Sequence, residues 1–529
     1  MLKNLRLLSF ALLLVGGLAF AGALGGGAEA RAQEVVIADE PLHLVILHTN
    51  DVHGQAEPRS ATWLDRVNPP QLGGLARLAG ELHAVARAEA EAGALVLAVD
   101  GGDWYQGTPE GLVEDGIAFA KLLVDVGYDG MVVGNHEFDH GVAHLDRLIQ
   151  ESGAPALLAN VRVPATDKRV PWAAPYRILQ LGRGERSLRI ALVGLLTPDT
   201  PSITHVDARA LEFTDPGAEL TRVLVELGSL GVPIDLVLPV THLGVDADRQ
   251  LAAAHPELPL IVGGHSHTTL RNGVRAGRTL IVQTGCKATV LGRVDLYLDP
   301  KTHAVLSSAA QLIELPVDAA RTDPELAEAC RVLIAAGAEA MGIEVGELAA
   351  DLGRSRGLTS GTAGNWITDV MRARLGSDVG IQNRGGIRCD LDKGTLTRRN
   401  LFELLPFGNT LVEVELSGTE LIQLAKNAVE DKSHSGIEFS GMRLIYTGVW
   451  PDGGLLRVEV AGKPVGSEAR YTVATNSFLA GGGDSYLPES ARMRKLKDTG
   501  LMLRDLMEEA VVAGAGAKVD LGNRFAVEP

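Results

Sequence analysis

Short apolar runs rich in β-branched residues alternate with longer stretches of helical periodicity through the first half of the chain. A helix is predicted within 73–93, and strands are predicted at 42–47, 94–99, 130–133, 189–196, 235–240 and 258–263. This alternation is typical of a layered α/β domain, in which helices cover the faces of sheets.

A helical stretch rich in Ala and Glu, from about Asp323 to Met341, separates the two halves of the chain. Thr322 or Asp323 can cap its start, and Pro324 suits the first turn. From about Gly346 a second α/β pattern begins. We therefore predict a first domain at 33–318, a linker helix at 319–345, and a smaller C-terminal α/β domain at 346–529.

The first residues have the pattern of an export signal. Lys3 and Arg6 precede an apolar stretch from Leu7 to Leu24, and "AEARAQ" follows, with an A-x-A site ending at Ala32. This pattern predicts a signal peptide at 1–32 and an exported, periplasmic or secreted protein. The alternative is an uncleaved membrane anchor, since the apolar stretch is long for a signal sequence.

Length and charge narrow the function. A chain of 529 residues is long enough for two domains. Its formal charge of −17 argues against binding a nucleic-acid polymer, although an anionic small molecule remains compatible if cations supply positive charge. The three cysteines lack the spacing of a zinc site or a disulfide framework, so we expect them to be reduced and buried.

Polar clusters follow five of the predicted strands. They are Asp51 and His53 in "LHTNDVHG", Asp100 and Asp103 in "DGGDW", the stretch "GNHEFD" at 134–139, His242 in "THLG", and His265 and His267 in "GGHSH". Ligands of open α/β sheets bind outside the carboxyl ends of strands, so these side chains are predicted to converge. Asp51 and His53 are two positions apart, as are His265 and His267. On an extended segment the two side chains of each pair would point to the same side.

Asp, Asn and His donors without thiolates suit divalent ions such as Mn²⁺, Zn²⁺, Co²⁺ or Mg²⁺. The clusters offer enough donors for two ions that share a carboxylate, which is an arrangement used for displacement at phosphorus. Asp100 competes with Asp103 for that role and would otherwise cap a turn. A single histidine such as His242 is more often a core residue, but five such clusters in order indicate a site.

The same stretches resemble the motif series of the calcineurin-like metallophosphoesterases and, more narrowly, the secreted 5′-nucleotidase and UDP-sugar hydrolase family. The resemblance implies one ion held by Asp51, His53, Asp103 and His267, and a second held by Asp103, Asn135, His242 and His265. It also implies that His136 and Asp139 form the catalytic pair, with Asp139 orienting the imidazole. We expect Glu137 and Phe138 to serve packing.

The second half resembles the nucleotide-binding domain of that family, which implies that it determines substrate specificity. By this resemblance Phe407 and Phe478 would sandwich the base, with Asn383, Arg388, Asn409 and Asp484 as the other substrate-binding residues. Relatives often carry further arginines before the helix that contains "GNWITD". Arg354 and Arg356 do not stand in the usual register, so their role as phosphate ligands stays open.

The resemblance implies an exported, two-metal hydrolase that converts nucleoside 5′-monophosphates to nucleoside and phosphate. Nucleoside di- and triphosphates and UDP-sugars are further candidate substrates. The enzymatic alternative is a 2′,3′-cyclic-nucleotide phosphodiesterase/3′-nucleotidase, and the alternative from another class is a nucleotide-binding protein without turnover. We expect a small-molecule partner, no nucleic-acid polymer, and no membrane association after cleavage of the signal.

Overall fold

The computed structural model describes residues 40–528, except positions 62, 66, 185, 356, 431–435, 448–453, 493–496 and 518. The predicted signal peptide at 1–32 and Arg356 therefore lie outside the described residues. Within the described part, no helix has the length and apolar character needed to cross a membrane.

The first half contains two six-stranded sheets. In spatial order the first sheet consists of Val305–Glu314, Val290–Leu298, Leu42–Thr49, Leu95–Asp100, Gly130–Val132 and Ala156–Leu157. The second consists of Val274–Ala276, Thr279–Val282, Leu260–Val262, Leu236–His242, Arg186–Leu196 and Tyr176–Arg183. All six strands predicted from apolar runs are present, and they lie parallel to their neighbours where they pair with one another.

The two sheets pack face to face. Buried residues from both, such as Ile46 and Val99 on one side and Leu192 and Leu238 on the other, form a single cluster. Helices cover the outer faces: Leu75–Glu91, Ile117–Val124 and Val142–Ser152 pack on the first sheet, and Pro216–Ser229 and Val245–Ala254 on the second. The result is the predicted layered α/β sandwich.

The helix between the two halves spans Pro324–Met341. The Asp323 side chain caps it by accepting hydrogen bonds from the backbone N–H groups of Glu325 and Leu326, so Asp323 and not Thr322 is the cap. Buried residues of this helix, including Leu326 and Leu333, belong to the same hydrophobic cluster as the first-sheet helices. The helix is therefore packed on the first half of the chain.

The second half has its own sheets. A five-stranded sheet has the order Ile437–Ser440, Val379–Asn383, Arg470–Asn476, Thr410–Ser417 and Lys497–Met502. A two-stranded sheet pairs Glu344–Leu348 with Gly394–Thr397. A four-stranded sheet has the order Lys463–Pro464, Gly454–Val460, Met442–Thr447 and Phe525–Val527. The helices are Thr362–Leu375, Arg398–Leu404, Gly418–Glu430, Ser477–Ala480, Glu489–Arg492 and Leu503–Val512.

All three cysteines are free thiols, as predicted. Only Cys330 is buried, because it lies on the inner face of the helix between the two halves. Cys286 and Cys389 are partly exposed, so the expectation that all three would be buried is wrong for these two. The fold is held by apolar cores instead of disulfides.

Candidate active site

The loop after strand Leu42–Thr49 runs beside the loop after its neighbour. The backbone N–H of Asp51 donates to the carbonyl of Gly102 at 2.8 Å, and that of His53 donates to the carbonyl of Asp103 at 3.0 Å. This pairing continues past the end of the parallel strands. It brings Asp51, His53 and Asp103 to one place at the edge of the sheet.

His267 joins these three residues from the second sheet. One donor atom from each of Asp51, His53, Asp103 and His267 lies within 4.8 Å of all the others. His267 Nε2 is 3.0 Å from Asp51 Oδ1 and 3.0 Å from His53 Nε2. These four residues, which we call the first donor set, are the first of the two predicted ligand groups.

The second predicted group shares Asp103. Its Oδ2 atom lies 3.2 Å from His242 Nε2, while its Oδ1 atom accepts a hydrogen bond from the backbone N–H of His136. His265 Nδ1 lies 2.9 Å from Asn135 Oδ1, and the His242 and His265 rings are 5.0 Å apart between centroids. Asp103 therefore stands between the two groups.

Backbone carbonyls fix the ring orientation of two histidines. His53 Nδ1 lies 2.8 Å from the carbonyl of Gln106, and His242 Nδ1 lies 2.6 Å from the carbonyl of Gly101. A backbone carbonyl in that position accepts a hydrogen bond from Nδ1–H and directs Nε2 at the cluster. Metal-binding histidines are usually oriented in this way.

Two buried atoms at the centre support a cation site. Asp51 Oδ1 and His242 Nε2 are buried without an assigned hydrogen bond, although His267 Nε2 and Asp103 Oδ2 lie 3.0 Å and 3.2 Å from them. Buried polar atoms normally have a partner, so orphaned atoms in a native site call for an explanation. Nitrogen and oxygen donors around two carboxylates fit divalent cations.

The electrostatics of the cluster agree with this assignment. Burial disfavours the charged imidazole of His242, but the Asp103 carboxylate outweighs burial and raises the pKa of His242 to about 10. Burial opposes ionisation of Asp51 as well, yet His267 and His242 lower its pKa to about 2. Both carboxylates thus retain negative charge deep in the protein, stabilised by the positive charge of the neighbouring histidines.

The backbone of these loops is left-handed, which the sequence did not lead us to expect. Asp51, His53, Asp103, His265 and His267 have φ angles of 53°, 52°, 60°, 79° and 51°. The prediction that spacing by two places each pair on an extended segment is therefore wrong. The pairs converge because the chain turns at each donor residue, and such conformations are rare for residues other than glycine.

His136 and Asp139 form the predicted pair on the turn after strand Gly130–Val132. His136 Nδ1 lies 2.7 Å from Asp139 Oδ2, and His136 Nε2 points into the cluster, 3.9 Å from Asp103 Oδ2. The other Asp139 oxygen, Oδ1, accepts a hydrogen bond from the hydroxyl of Thr204 at 2.8 Å. Sequence reasoning missed Thr204, because a single threonine between two helical turns carries no distinguishing pattern.

Glu137 has a different role from the packing role predicted for it. Its fully buried carboxylate accepts hydrogen bonds from the backbone N–H groups of Asp103 at 3.0 Å, Trp104 at 2.7 Å and Gly134 at 2.8 Å. It therefore connects the loop that carries Asp103 to the loop that carries Asn135. Phe138 is fully buried in the core, as predicted.

Asp100 is the turn-capping member of its pair. Its carboxylate accepts hydrogen bonds from the Thr49 hydroxyl at 2.6 Å and from the backbone N–H of Gly102 at 2.9 Å. Burial raises the pKa of Asp100 to about 7, opposed by those two hydrogen bonds. Asp103, and not Asp100, faces the donor groups.

Two residues of the second half reach the cluster. A terminal nitrogen of Arg388 is 3.3 Å from His53 Nε2. The Phe407 ring stacks on His136, with 5.4 Å between ring centroids and 13° between the planes, and the Arg388 guanidinium lies 5.7 Å from the centre of that ring. Phe407 thus contacts the predicted catalytic pair directly in this arrangement.

The other predicted substrate residues lie within the second half. Asn383 Oδ1 accepts a hydrogen bond from Asn476 at 2.9 Å, and Asn409 Oδ1 accepts one from Ser477 at 3.3 Å. Phe478 is half-buried against the core of the second half, and Asp484 is buried with a φ of 51°. Their roles in substrate binding stay predictions.

Arg354 lies apart from these residues in its contacts. Its side chain is half exposed and forms an ion pair with Asp390 at 3.2 Å. This pairing satisfies the guanidinium locally and gives no support for a role as a phosphate ligand.

Two family models match the chain. The calcineurin-like phosphoesterase model matches residues 44–269, and the model for the 5′-nucleotidase C-terminal domain matches residues 344–489. Among curated proteins, the chain is similar to a 5′-nucleotidase of Bos taurus, with 30% identity over 85% of each chain. It is also similar to a 5′-nucleotidase of Vibrio cholerae, with 27% identity over 96% of each.

Solved structures give the same result. A 5′-nucleotidase precursor from Thermus thermophilus superposes with a TM-score of 0.82 and 28% identity, covering 92% of this chain and all of that one. The sulfate thiohydrolase SoxB of the same organism superposes with a TM-score of 0.77 at 17% identity, covering 92% of this chain and 96% of that one. The second likeness shows a shared fold alone.

Proposed function

The chain belongs to the two-domain 5′-nucleotidase family of calcineurin-like phosphoesterases, and on that premise we propose that it hydrolyses nucleoside 5′-monophosphates to nucleoside and phosphate. It is a metal-dependent phosphohydrolase, so the alternative of a binding protein without turnover is set aside. We propose, beyond this, the number of ions, the preferred substrate and the residues of the site.

The contact between the two halves carries the proposal. The second half places a cation, Arg388, and an aromatic ring, Phe407, directly on the donor groups and on His136. An arginine suits a phosphate, and an aromatic ring suits the face of a base. A hydrolase for simple phosphate esters would need no such ring beside its catalytic pair.

We assign one divalent ion to Asp51, His53, Asp103 and His267, and a second to Asp103, Asn135, His242 and His265. When bound, such ions supply positive charge to the phosphoryl oxygens and make water a stronger nucleophile. The donor atoms do not identify the metal, since Mn²⁺, Zn²⁺, Co²⁺ and Mg²⁺ all accept this set.

His136 supplies the proton. In the imidazolium form its Nδ1–H donates to Asp139, and its Nε2–H points into the cluster. As water attacks phosphorus and the bond to the 5′ oxygen breaks, that proton passes to the leaving oxygen. Before it does so, the same N–H stabilises the charge developing on the phosphoryl group.

We propose that Phe407 moves when a substrate enters. One face of its ring is stacked on His136 and is therefore not available to a base. We propose that the ring leaves His136 when a nucleotide enters and then contacts the base, with Phe478 on its other face. Asn383, Asn409 and Asp484 would bind the nucleoside.

The domain limits of 33–318 and 346–529, the signal peptide at 1–32 and export to the periplasm or medium are part of this proposal. In support, the matched family range 44–269 lies inside the first limits, the range 344–489 begins two residues before the second limits, and the two sets of sheets do not share strands. We propose that a nucleotide is the partner molecule and that nucleic-acid polymers are not bound.

Phosphate release from a substrate panel tests the function. The metal-loaded enzyme is compared on AMP, 3′-AMP, 2′,3′-cyclic AMP, ATP and UDP-glucose, with p-nitrophenyl phosphate as a substrate that lacks a base. We expect the highest kcat/KM on AMP and two metal ions per chain. Faster turnover of the cyclic nucleotide or of 3′-AMP would overturn the proposed substrate class.

A further inference from the structure

One short segment of the first half, residues 200–210, contacts both the catalytic pair and a loop of the second half. It comprises the helical turn Thr200–Ile203 and the turn Val206–Ala210. We propose that this segment couples the nucleoside-binding loop to the catalytic pair, with Thr204 positioning Asp139 and Arg209 positioning the loop. The inference rests on the proposed function.

Thr204 completes a chain of three side chains. Its hydroxyl donates to Asp139 Oδ1 at 2.8 Å, while Asp139 Oδ2 lies 2.7 Å from His136 Nδ1. Thr204 is 8% exposed, so water competes little for this hydrogen bond. A carboxylate held through both oxygens cannot rotate about its own axis, and the imidazole bonded to it keeps its direction.

Arg209 holds the loop of the second half. Its Nη1 atom donates to the carbonyl of Gly481 at 2.9 Å, and its Nε donates to the carbonyl of Pro201 at 3.2 Å. The guanidinium thus ties that loop to the start of its own segment. The helical turn Thr200–Ile203 also lies beside the turn Gly483–Ser485 of the same loop.

The loop held by Arg209 carries two of the proposed substrate residues, Phe478 and Asp484. A side chain at Gly483 would begin 2.4 Å from the Phe478 ring, so the ring packs directly on the loop backbone. Gly481 lies between these two residues in the sequence. Displacement of its carbonyl would therefore shift both the ring and the carboxylate.

The segment is anchored to the core of the first half. Ala208 is fully buried in that core, and the Thr200 hydroxyl donates to the carbonyl of Thr197 at 2.7 Å. Between these anchors the segment carries the buried Thr204, and the exposed Arg209 follows directly after Ala208. One anchored segment thus holds both the loop and Asp139, so a nucleoside bound at the loop is positioned relative to Asp139.

Kinetics of matched variants test the two positions. Thr204→Val removes the hydroxyl and keeps the shape, and Thr204→Ser restores the hydroxyl. We expect Thr204→Val to lower kcat by about fivefold to tenfold on both AMP and p-nitrophenyl phosphate, as for one lost hydrogen bond, with little change in KM. Thr204→Ser should recover most of kcat.

Arg209→Ala should raise KM for AMP by about three- to tenfold and leave hydrolysis of p-nitrophenyl phosphate unchanged, since the proposed role of the loop is to bind the nucleoside. Arg222→Ala is the control, because that exposed arginine pairs with Glu219 away from the cluster. Melting temperatures show whether each variant is folded. Equal losses on both substrates in Arg209→Ala, or a Thr204→Ser variant as slow as Thr204→Val, would overturn the assigned roles.

The double variant Thr204→Val/Arg209→Ala tests the coupling itself. Coupled residues give an effect on kcat/KM for AMP that differs by about threefold or more from the product of the single effects. If the effect of the double variant on kcat/KM equals the product of the two single effects, the proposed coupling is overturned. A wild-type enzyme that cleaves p-nitrophenyl phosphate but not AMP overturns the proposed function instead, and the Thr204 measurements on p-nitrophenyl phosphate still decide that part.

Discussion

The loops of the first half hold their functional side chains differently from the loops of the second half that face them. Asp51, His53, Asp103 and His242 are buried and carry short contacts on more than one side. Phe407 and Arg388 are half-buried, and their contacts to the cluster are a ring stack and one long hydrogen bond. The side chains proposed for the chemistry are fixed in place, whereas those proposed for substrate recognition retain room to move.

This difference follows from what each part must do. Displacement at phosphorus depends on geometry within fractions of an ångström, and stacking on a base tolerates sliding of the ring. The contrast predicts that damage to the buried donor residues or to His136 affects every substrate. Damage to the aromatic rings of the second half should affect only nucleotides.

The replacement Asp103→Asn should have the largest effect. One carboxylate serves both donor groups, so we expect loss of bound metal and a fall in activity of about 10⁴-fold or more, given that bound cations supply several kcal/mol. Metal analysis measures the loss of bound metal, and phosphate release measures the fall in activity. Asp100→Asn is the control, because this neighbouring buried carboxylate caps a turn. Two ions per chain with near-normal turnover in Asp103→Asn would contradict the assignment.

His136→Ala should keep its metal ions and lower kcat by about 10²–10⁴-fold on AMP and p-nitrophenyl phosphate alike, as for a lost acid–base group. Metal analysis of the same sample separates a catalytic role from a ligand role. His144→Ala serves as a control, since that imidazole bonds to the carbonyl of Asp115 outside the cluster. Loss of metal from His136→Ala would mean that the ligand set is misassigned.

Glu137→Gln should weaken metal binding by about 10–100-fold, as for other partners of ligand residues. The amide NH₂ would face backbone N–H groups that now donate to a carboxylate oxygen, which costs about 1–3 kcal/mol of unfolding free energy. Metal titration and thermal unfolding check both effects. Asp248→Asn, another buried carboxylate, bonded to Thr241, should change metal affinity less. Unchanged metal affinity in Glu137→Gln would mean that Glu137 serves packing, as the sequence predicted.

Replacing Phe407 and Phe478 by Ala should have the smallest effect on the chemistry. We expect a higher KM for AMP, corresponding to about 1–3 kcal/mol per stacked base, and little change on p-nitrophenyl phosphate. Phe478→Ala alone is the cleaner test, because Phe407 also contacts His136. Parallel losses on both substrates with a lower melting temperature would assign the rings to the core.

The fold was accessible from the sequence because its signals are periodic. Apolar runs such as the one ending at Val133 identify buried strands whatever their neighbours are. The donor residues were accessible for a related reason, since parallel strands deliver their carboxyl ends to one edge and a polar cluster there is conspicuous.

What the sequence did not reveal depends on contacts with backbone or across long separations. Glu137 bonds to N–H groups of residues more than thirty positions away, and no side-chain pattern marks a backbone donor. Thr204 reaches Asp139 across 65 positions, and threonine is too common to signal a role. The left-handed turns at Asp51 and His267 also have no signature, since both residues suit other conformations equally well.

At those left-handed turns, selection for stability and selection for metal binding favour different residues. A residue other than glycine in such a conformation costs of order 1–3 kcal/mol, and five of the proposed ligands are in this position. Glycine at His267 would relieve the backbone and delete a donor atom in a single step. Selection for thermostability alone would therefore tend to erode this site, and consensus or library-based stabilisation of the enzyme should exclude these five positions.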